Sequence, residues 1–169
     1  KVDADAIDRT GEIPDDVIKG MAEMGAFGIK IGTQYGGLGL SQTNYSRAAM
    51  LLGSYDGSLT ALISAHQSIG VPQPLIMFGT EEQKRRHLPG LCSGETILAF
   101  GVTEPNAGTD TSRIQTRAVK QGDTWIVNGR KVWTTNAQHA TKFLLLARTS
   151  ERDPARPLKG LTLFFTDFD

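Results

Sequence analysis

The chain has 169 residues, enough for one sizeable domain or two small ones. Hydrophobic residues make up 39% and charged residues 21%, a composition typical of globular proteins that excludes a disordered or fibrous class. Eighteen basic residues balance eighteen acidic ones, so no net charge favours nucleic acid or an anionic membrane, and we expect no nucleic-acid partner.

Cysteine and histidine usage narrows the possible chemistry. The single cysteine, Cys92, cannot form an intrachain disulfide, and we expect a small half-buried hydrophobic side chain rather than a nucleophile. His66, His87 and His139 are far apart and lack metal-ligand spacing, so no metal site is predicted. No apolar run approaches the roughly twenty residues of a membrane span, and no targeting segment is visible. The first residue is not methionine and the last follows an apolar run, so we expect a piece of a longer protein.

The first half of the sequence predicts helices. Pro14 suits the first turn of a helix, Ser41 is a candidate N-cap, and Thr80 with Gln83 has the spacing of a capping box. Apolar residues at helical spacing, or runs of small and apolar residues, then predict helices over 14–25, 41–52, 58–70 and 80–90. The glycine-rich segment 36–39 is predicted to be a turn between helices.

The second half changes to a strand pattern near Gly94. Short apolar or alternating runs predict strands over 97–102, 114–119, 124–127, 131–135, 142–148 and 161–165. Asn128-Gly129 predicts a two-residue hairpin turn between the third and fourth of these strands. The charged segment 151–159 contains two prolines and is predicted to be an exposed loop. Helices segregated before strands indicate two domains or an α+β arrangement.

Two segments of the second half could bind a ligand. No G-x-G-x-x-G fingerprint follows a strand and no Walker-type loop is present, which disfavours dinucleotide binding of the Rossmann kind. Residues 100–110 instead run from a strand into a loop of small and hydroxyl residues, whose backbone amides can approach a phosphate. Residues 128–136 carry Trp133 followed by two threonines, which offer a flat ring beside hydroxyl groups. Together they predict a pocket for a planar, phosphate-bearing cofactor.

The same residues also have purely structural interpretations. The loop 107–109 is compatible with an ordinary β-turn, and Trp133 with core packing of the kind that we expect for Trp125. Glu104 and Asp110 could be read as an acid/base pair, but we expect each to stabilise the loop by accepting backbone N–H bonds.

In combination, these motifs resemble the acyl-CoA dehydrogenase family. The motifs of the second half are Thr103-Glu104-Pro105, Ala107-Gly108-Thr109-Asp110, Asn128-Gly129 and Lys131-x-Trp133-x-Thr135-Asn136. Segments 25–28, 35–39, 78–84 and 88–89 of the first half are similarly placed family features, and 65–70 looks most like members acting on long or very long acyl chains. The resemblance covers essentially the whole chain.

The resemblance implies an α+β fold in two parts. Residues 1–95 would form an all-α N-terminal domain that lacks its first helix. Residues 96–169 would form an incomplete, mostly antiparallel, β-barrel-like middle domain, and the family's C-terminal four-helix domain would be absent.

The family relationship also implies FAD as the cofactor. The cofactor-binding residues carried over from the family motifs are Phe100, Val102, Thr103, Gly108, Thr109, Trp133, Thr134 and Thr135. Trp133 would lie against one face of the flavin ring system, with the Thr135 hydroxyl near flavin N5. Thr109 would sit where both the cofactor and the acyl-CoA thioester pass, and so would also bind substrate. Thr134 replaces the commoner isoleucine, while Asn106 and Thr109 stand where glycine and serine are frequent.

The implied reaction is α,β-dehydrogenation of an acyl-CoA thioester, in which a carboxylate removes the α-proton while the β-hydride passes to the flavin. In the family that base is a glutamate of the C-terminal bundle, which no acid here matches. We therefore predict no catalytic residue in this chain, and we expect the chain alone to bind FAD poorly and to be inactive.

Several expectations about context follow from the family. An acyl-CoA is the expected substrate, an electron-transfer flavoprotein the expected electron acceptor, and a dimer or tetramer the expected assembly of the full-length protein. The compartment would be the cytoplasm in a bacterium or the mitochondrial matrix in a eukaryote. The alternatives are a flavin monooxygenase or a nitroalkane-oxidase-like relative on the same scaffold, or a truncated non-catalytic structural module.

Overall fold

The computed structural model describes residues 2–67, 70 and 72–167, with the side chains of 66 and 67 left out. The chain divides into two compact units, residues 1–97, the helical unit, and residues 98–169, the sheet unit. Over the described residues, no helix is both long and apolar enough to cross a membrane.

The helical unit contains six α-helices and two short 3-10 turns among its described residues. The helices are α1 (Ala4–Thr10), α2 (Asp15–Glu23), α3 (Gln42–Gly53), α4 (Gly57–Gln67), α5 (Pro72–Phe78) and α6 (Glu81–Ser93), and the 3-10 turns are Ala26–Gly28 and Thr33–Tyr35. The four predicted helices are confirmed as α2, α3, α4 and α6, although Ser68 and Ile69 of the predicted range lie outside the described residues. Helices α1 and α5 were not predicted, because each has only 7 residues and too few turns to show a period.

Local capping explains where α6 begins and ends. Thr80 Oγ1 accepts from the Gln83 N–H at 3.2 Å while Gln83 Oε1 accepts from the Thr80 N–H at 2.9 Å, which is the predicted capping box. The helix continues past Pro89, where the sequence predicted its end, and stops at Gly94, whose φ of +78° few other residues adopt.

The core of the helical unit packs around Phe27, which is fully buried. Met21, Tyr45, Leu59 and Ile63 are buried in the same cluster, so α2, α3 and α4 all contribute to it. The predicted glycine turn folds over the same region, since the N–H groups of residues 38, 39 and 40 donate to the carbonyls of residues 28, 31 and 29, each at 2.8 Å. Cys92 is buried in this unit, which confirms its prediction as a packing residue.

The sheet unit is an open, mixed sheet over its described residues. Its strands are β1 (Leu98–Gly101), β2 (Arg117–Gln121), β3 (Thr124–Asn128), β4 (Lys142–Arg148) and β5 (Leu161–Asp167). Strand β4 pairs in parallel with β1 and, at Arg148, with β2, while β5 pairs antiparallel along its whole length. The β2–β3 pair is also antiparallel, so the two longest pairings are antiparallel. The predicted α+β class is confirmed, with a sheet that does not close.

The structure has a β-hairpin between β2 and β3 and none at the predicted turn Asn128-Gly129. Gln121 pairs with Thr124, so the β2–β3 turn is at Gly122 and Asp123, and Gly122 adopts a left-handed φ of +59°. The prediction of a turn at Asn128-Gly129 is wrong. Gly129 instead packs closely against Thr116, since a Cβ at position 129 would lie 2.2 Å from Thr116 Oγ1.

The strand predicted over 131–135 is also wrong. Trp133, in the middle of that range, has a φ of +57°, and Asn136 just after it has a φ of +60°; an extended strand cannot pass through a left-handed residue. The segment is irregular and turns over residues 135–139 before β4 begins. Trp125, by contrast, packs edge-on against Phe164 with ring centroids 5.3 Å apart, but it is 41% exposed, so it packs on the sheet surface and not in the core.

Candidate functional site

The structure brings the two motifs of the second half together. The Val132 N–H donates to the Thr103 carbonyl at 3.0 Å. The Lys131 ammonium donates to the Val102 carbonyl at 3.0 Å and to the Glu104 carboxylate at 2.8 Å. Residues 102–104, which follow β1, therefore lie directly against residues 131–132, although 27 positions separate Glu104 from Lys131.

Glu104 anchors the loop that follows β1. Its backbone N–H and carbonyl exchange hydrogen bonds with Ala107 at 3.0 and 3.1 Å, which closes a tight turn. Its buried carboxylate accepts from the backbone N–H of Gln115 at 2.7 Å and of Thr116 at 2.9 Å. The prediction that Glu104 stabilises the loop by accepting backbone N–H bonds is confirmed, whereas its ion pair with Lys131 was not predicted.

Burial and hydrogen bonding together determine the charge state of this pair. Only 9% of the Lys131 side chain and 6% of the Glu104 side chain are exposed. Burial by itself raises the pKa of Glu104, but the hydrogen bonds from Lys131 and from the two backbone N–H groups outweigh it and lower that pKa to about 2. Burial lowers the pKa of Lys131, and the Glu104 charge counteracts this only in part. Glu104 is therefore ionised at neutral pH.

Asp110 has a similar structural role at the end of the loop. Its carboxylate accepts from the Ser112 N–H at 3.1 Å and from the Ser112 hydroxyl at 2.6 Å, which caps the 3-10 turn Thr111–Arg113. The hydroxyl bond is the main reason that the pKa of Asp110 is lowered. Its predicted role as an acceptor of backbone N–H bonds is confirmed.

Trp133 does not belong to the core of the sheet unit. Its side chain is 90% exposed, whereas that of Trp125 is 41% exposed. Its left-handed backbone is unusual for a bulky aromatic residue and carries a strain of about 1–3 kcal/mol. The core-packing interpretation of Trp133 is therefore wrong, and the ring is free to contact a ligand.

A cavity of about 500 Å³ lies beside this tryptophan within the sheet unit. Apolar side chains from two strands and polar groups from the irregular segment line it together, among them Val127, Phe143, Leu145, Lys131, Thr134 and Trp133. An apolar cavity with a few polar groups and an exposed ring at its edge is typical of a binding site for a planar organic molecule.

The remaining predicted site residues lie around the same loop. Phe100 is on β1, and Phe100, Val102 and Thr103 are half-buried. Gly108 and Thr109 are exposed beyond the tight turn, where their backbone is open to a ligand. Thr134 lines the cavity, and Thr135 is exposed at the start of the following turn.

Arg148 is a positioning residue that the sequence did not reveal. The guanidinium is buried at the end of β4 and donates to the carbonyls of Ser112, Ile114, Pro157 and Lys159 at 3.1 to 3.2 Å. It thereby joins the 3-10 turn after Asp110 to the charged loop before β5. The available signal was its place as a charge directly after the apolar run 143–147 of the strand.

No group of three histidine, cysteine or acidic side chains in the described part of the chain is arranged to hold a metal ion. Glu104 and Lys131 form an ion pair, Asp110 caps a turn, and Arg148 donates to backbone carbonyls.

Two family models together match most of the chain. The model of the acyl-CoA dehydrogenase N-terminal domain matches residues 1–95, and that of the middle domain matches residues 99–169. The chain belongs to the acyl-CoA dehydrogenase family.

Individual relatives agree with this assignment. The chain is 44% identical to the probable acyl-CoA dehydrogenase FadE10 of Mycobacterium tuberculosis, over 99% of this chain and 26% of that protein. It is 37% identical to the very long-chain specific mitochondrial acyl-CoA dehydrogenase of Rattus norvegicus, over 88% of this chain and 23% of that protein. The chain thus spans about a quarter of the length of these relatives.

Solved structures show the same similarity. Butyryl-CoA dehydrogenase from Megasphaera elsdenii aligns with a TM-score of 0.85 at 34% identity, over 96% of this chain and 42% of that one. A chain in the structure of the electron transferring flavoprotein of Acidaminococcus fermentans aligns with a TM-score of 0.86 at 36% identity, over 96% of this chain and 42% of that one.

Proposed function

We propose that this chain supplies the flavin-binding part of an FAD-dependent acyl-CoA dehydrogenase, which catalyses α,β-dehydrogenation of acyl-CoA thioesters. The cofactor-binding residues in this proposal are Phe100, Val102, Thr103, Gly108, Thr109, Trp133, Thr134 and Thr135. One observation carries it: Trp133 is exposed in a strained conformation beside a cavity, and its neighbour Val132 is bonded to Thr103 of the other family motif.

The residues present fit a flavin. A planar ring system stacked on one face of the Trp133 indole would remove roughly 100 Å² of apolar surface from water, worth about 2.5 kcal/mol at ~25 cal/mol per Å². Because the strained Trp133 backbone is already formed in the free chain, binding would not have to supply that strain. The Val132 bond to the Thr103 carbonyl holds Thr103 beside this segment, where its hydroxyl would reach the cofactor.

The exposed loop would take the phosphate groups. Gly108 and Thr109 follow the tight turn that Glu104 anchors, and their backbone is open on the outer side. A short loop with free N–H groups and a hydroxyl suits an anionic group, and Thr109 would also contact the thioester arm of the substrate. FAD, when bound, supplies the acceptor for the substrate hydride.

The acids nearest the site are poor candidates for the base that removes the α-proton. The pKa of Glu104 is lowered to about 2 and that of Asp110 is also lowered, and a general base works best when its pKa lies near the working pH. We propose that the base is a carboxylate of the complete polypeptide outside this chain. The complete polypeptide would act on long acyl-CoA thioesters, would pass its electrons to an electron-transfer flavoprotein, and would assemble as a homo-oligomer.

The test is flavin binding by the complete polypeptide that the gene encodes. The wild type should purify with two visible flavin bands, and Trp133→Ala should weaken FAD binding roughly 10- to 100-fold, as expected from about 2.5 kcal/mol. Trp125→Ala is the matched control, because Trp125 packs against Phe164, and it should keep FAD affinity. A colourless wild type that takes up no FAD would favour a structural module, and an unchanged flavin content and spectrum in Trp133→Ala would refute the stacking role.

A further inference from the structure

The Glu104–Lys131 pair joins three stretches of backbone, residues 102–104, residues 115–116 and the segment at Lys131. Lys131 Nζ contacts the Val102 carbonyl and Glu104 Oε1, and the same carboxylate receives the N–H groups of Gln115 and Thr116, all within 3.0 Å. Removing two charges from water costs about as much as their attraction returns, so a pair this deeply buried is weak evidence of a contribution to overall stability. The geometry of the pair is specific, however, because the Glu104 carboxylate accepts three hydrogen bonds and the Lys131 ammonium donates two.

Each member of the pair is close in sequence to a residue proposed to bind FAD. Glu104 directly follows Thr103, and Lys131 precedes Trp133 by two positions. Among residues 129–140, the Val132 N–H bond to Thr103 is the backbone bond that attaches this segment to the rest of the sheet unit, while those of residues 137 and 139 stay within it. The Lys131 side chain is therefore the principal further attachment of the segment that carries Trp133.

We propose that Lys131, through its ion pair with Glu104, is a positioning residue that holds Trp133 in its left-handed conformation and so preorganises the flavin-stacking surface. This inference rests on the proposed function only for the identity of the ligand. Without the pair, the segment 131–134 is free to move away from Thr103 in the loop after β1, and the Trp133 backbone relaxes to an ordinary negative φ. The ring is then no longer held beside the cavity, and a ligand must order it on binding.

The experiment compares Lys131→Met with Lys142→Met in the complete polypeptide. Lys142 is the matched control because it also forms an ion pair, with Asp167, at the start of β4 rather than in the Trp133 segment. Hydrogen exchange of the Val132 amide, which donates to the Thr103 carbonyl, should be at least ten times faster in Lys131→Met apoprotein and unchanged in Lys142→Met. The dissociation constant for FAD should rise about tenfold in Lys131→Met and should not change in Lys142→Met.

A double substitution separates positioning from general destabilisation. If Lys131 acts through Trp133, Lys131→Met should weaken FAD binding about tenfold in the wild type but less than twofold when Trp133 is already alanine. Equal effects in both backgrounds would overturn the proposal. If Lys131→Met does not fold, Glu104→Gln removes the same ion pair with an isosteric side chain and should give the same faster exchange, measured under conditions where the variant is folded.

The two arms distinguish this inference from the proposed function. Unchanged apoprotein exchange in both Lys131→Met and Glu104→Gln would overturn the positioning role, whatever FAD does. Faster exchange in the variants, together with a wild-type protein that binds no FAD, would support the positioning role and refute the proposed function.

Discussion

Glu104 should make the sheet unit sensitive to acid, and Glu104→Gln should remove that sensitivity. The carboxylate is buried, accepts two backbone N–H bonds and contacts the Lys131 ammonium at 2.8 Å. These contacts favour the ionised form, so the pKa of Glu104 falls from an ordinary 4.5 to about 2 in the folded chain. Glutamine keeps one acceptor oxygen and the shape of the side chain but cannot ionise.

The size of the effect follows from proton linkage. A difference of roughly 2.5 in pKa corresponds to about 3 kcal/mol of free energy of unfolding. Because the folded pKa is the lower one, the unfolded chain binds more protons between pH 4.5 and 2. The stabilisation is therefore complete above about pH 4.5 and is lost as the pH falls towards 2. Burial of the Lys131 ammonium, which lowers its pKa, reduces the stability that the ion pair contributes equally over this pH range and leaves the acid-dependent difference unchanged.

Urea unfolding of the chain at several pH values measures this directly. Both tryptophans of the chain, Trp125 and Trp133, lie in the sheet unit, so their emission reports its unfolding. The wild type should lose up to about 3 kcal/mol more than Glu104→Gln between pH 5 and 2. Glu151→Gln, which alters an exposed carboxylate, should retain the wild-type pH dependence. The reasoning is refuted if wild type and Glu104→Gln lose stability in parallel over this range.

Two further predictions concern the helical unit. Gly37→Ala should destabilise the helical unit by about 1–3 kcal/mol, because the new Cβ would lie 2.1 Å from the Ile31 carbonyl oxygen. Gly20→Ala in α2 meets no atom within 4 Å and should stabilise the unit by about 0.5–1 kcal/mol. Urea unfolding followed by circular dichroism measures both effects. Cys92 should resist thiol reagents at pH 8 in the folded chain, since burial raises its pKa to about 11 and only about one thiol in a thousand is ionised; equal modification rates in native and urea-unfolded chain would contradict this.

Elements set by neighbouring residues were predictable from the sequence. The capping box at Thr80, the buried helix α4 and the apolar strand β4 all appear where the pattern indicates, because caps and periodicity act within a few residues. The β2–β3 hairpin at Gly122 and Asp123 was not predicted, because the Asn128-Gly129 pair predicts the hairpin turn between the predicted strands 124–127 and 131–135 instead. The outcome at Asn128-Gly129 depends on the packing of residue 129 against Thr116, which no local pattern contains.

The site shows the same division. The motifs around Thr103 and Trp133 pointed to two segments that the structure brings into contact, and the roles of Glu104 and Asp110 as backbone acceptors followed from their residue types. The exposure of Trp133 did not follow, because a tryptophan between Val132 and Thr134 in a strand-like pattern is equally compatible with core packing. Lys131 was also missed, since its bond to Glu104 spans 27 positions and depends on how β1 and the irregular segment are brought together.

These contacts explain why a strained, exposed tryptophan persists in this sheet unit. Burial of Lys131 and Glu104 and the near-complete satisfaction of their hydrogen bonds oppose any movement of the strand end at residues 102–104. Arg148 restrains the next turn by donating to four carbonyls. The cost of ordering the loop and the tryptophan is therefore met during folding, and under the proposed function a planar ligand would keep more of its contact energy as affinity. In that proposal Glu104 and Asp110, whose pKa values are lowered, hold the loop and are poor proton acceptors, so the removal of a proton falls to another group.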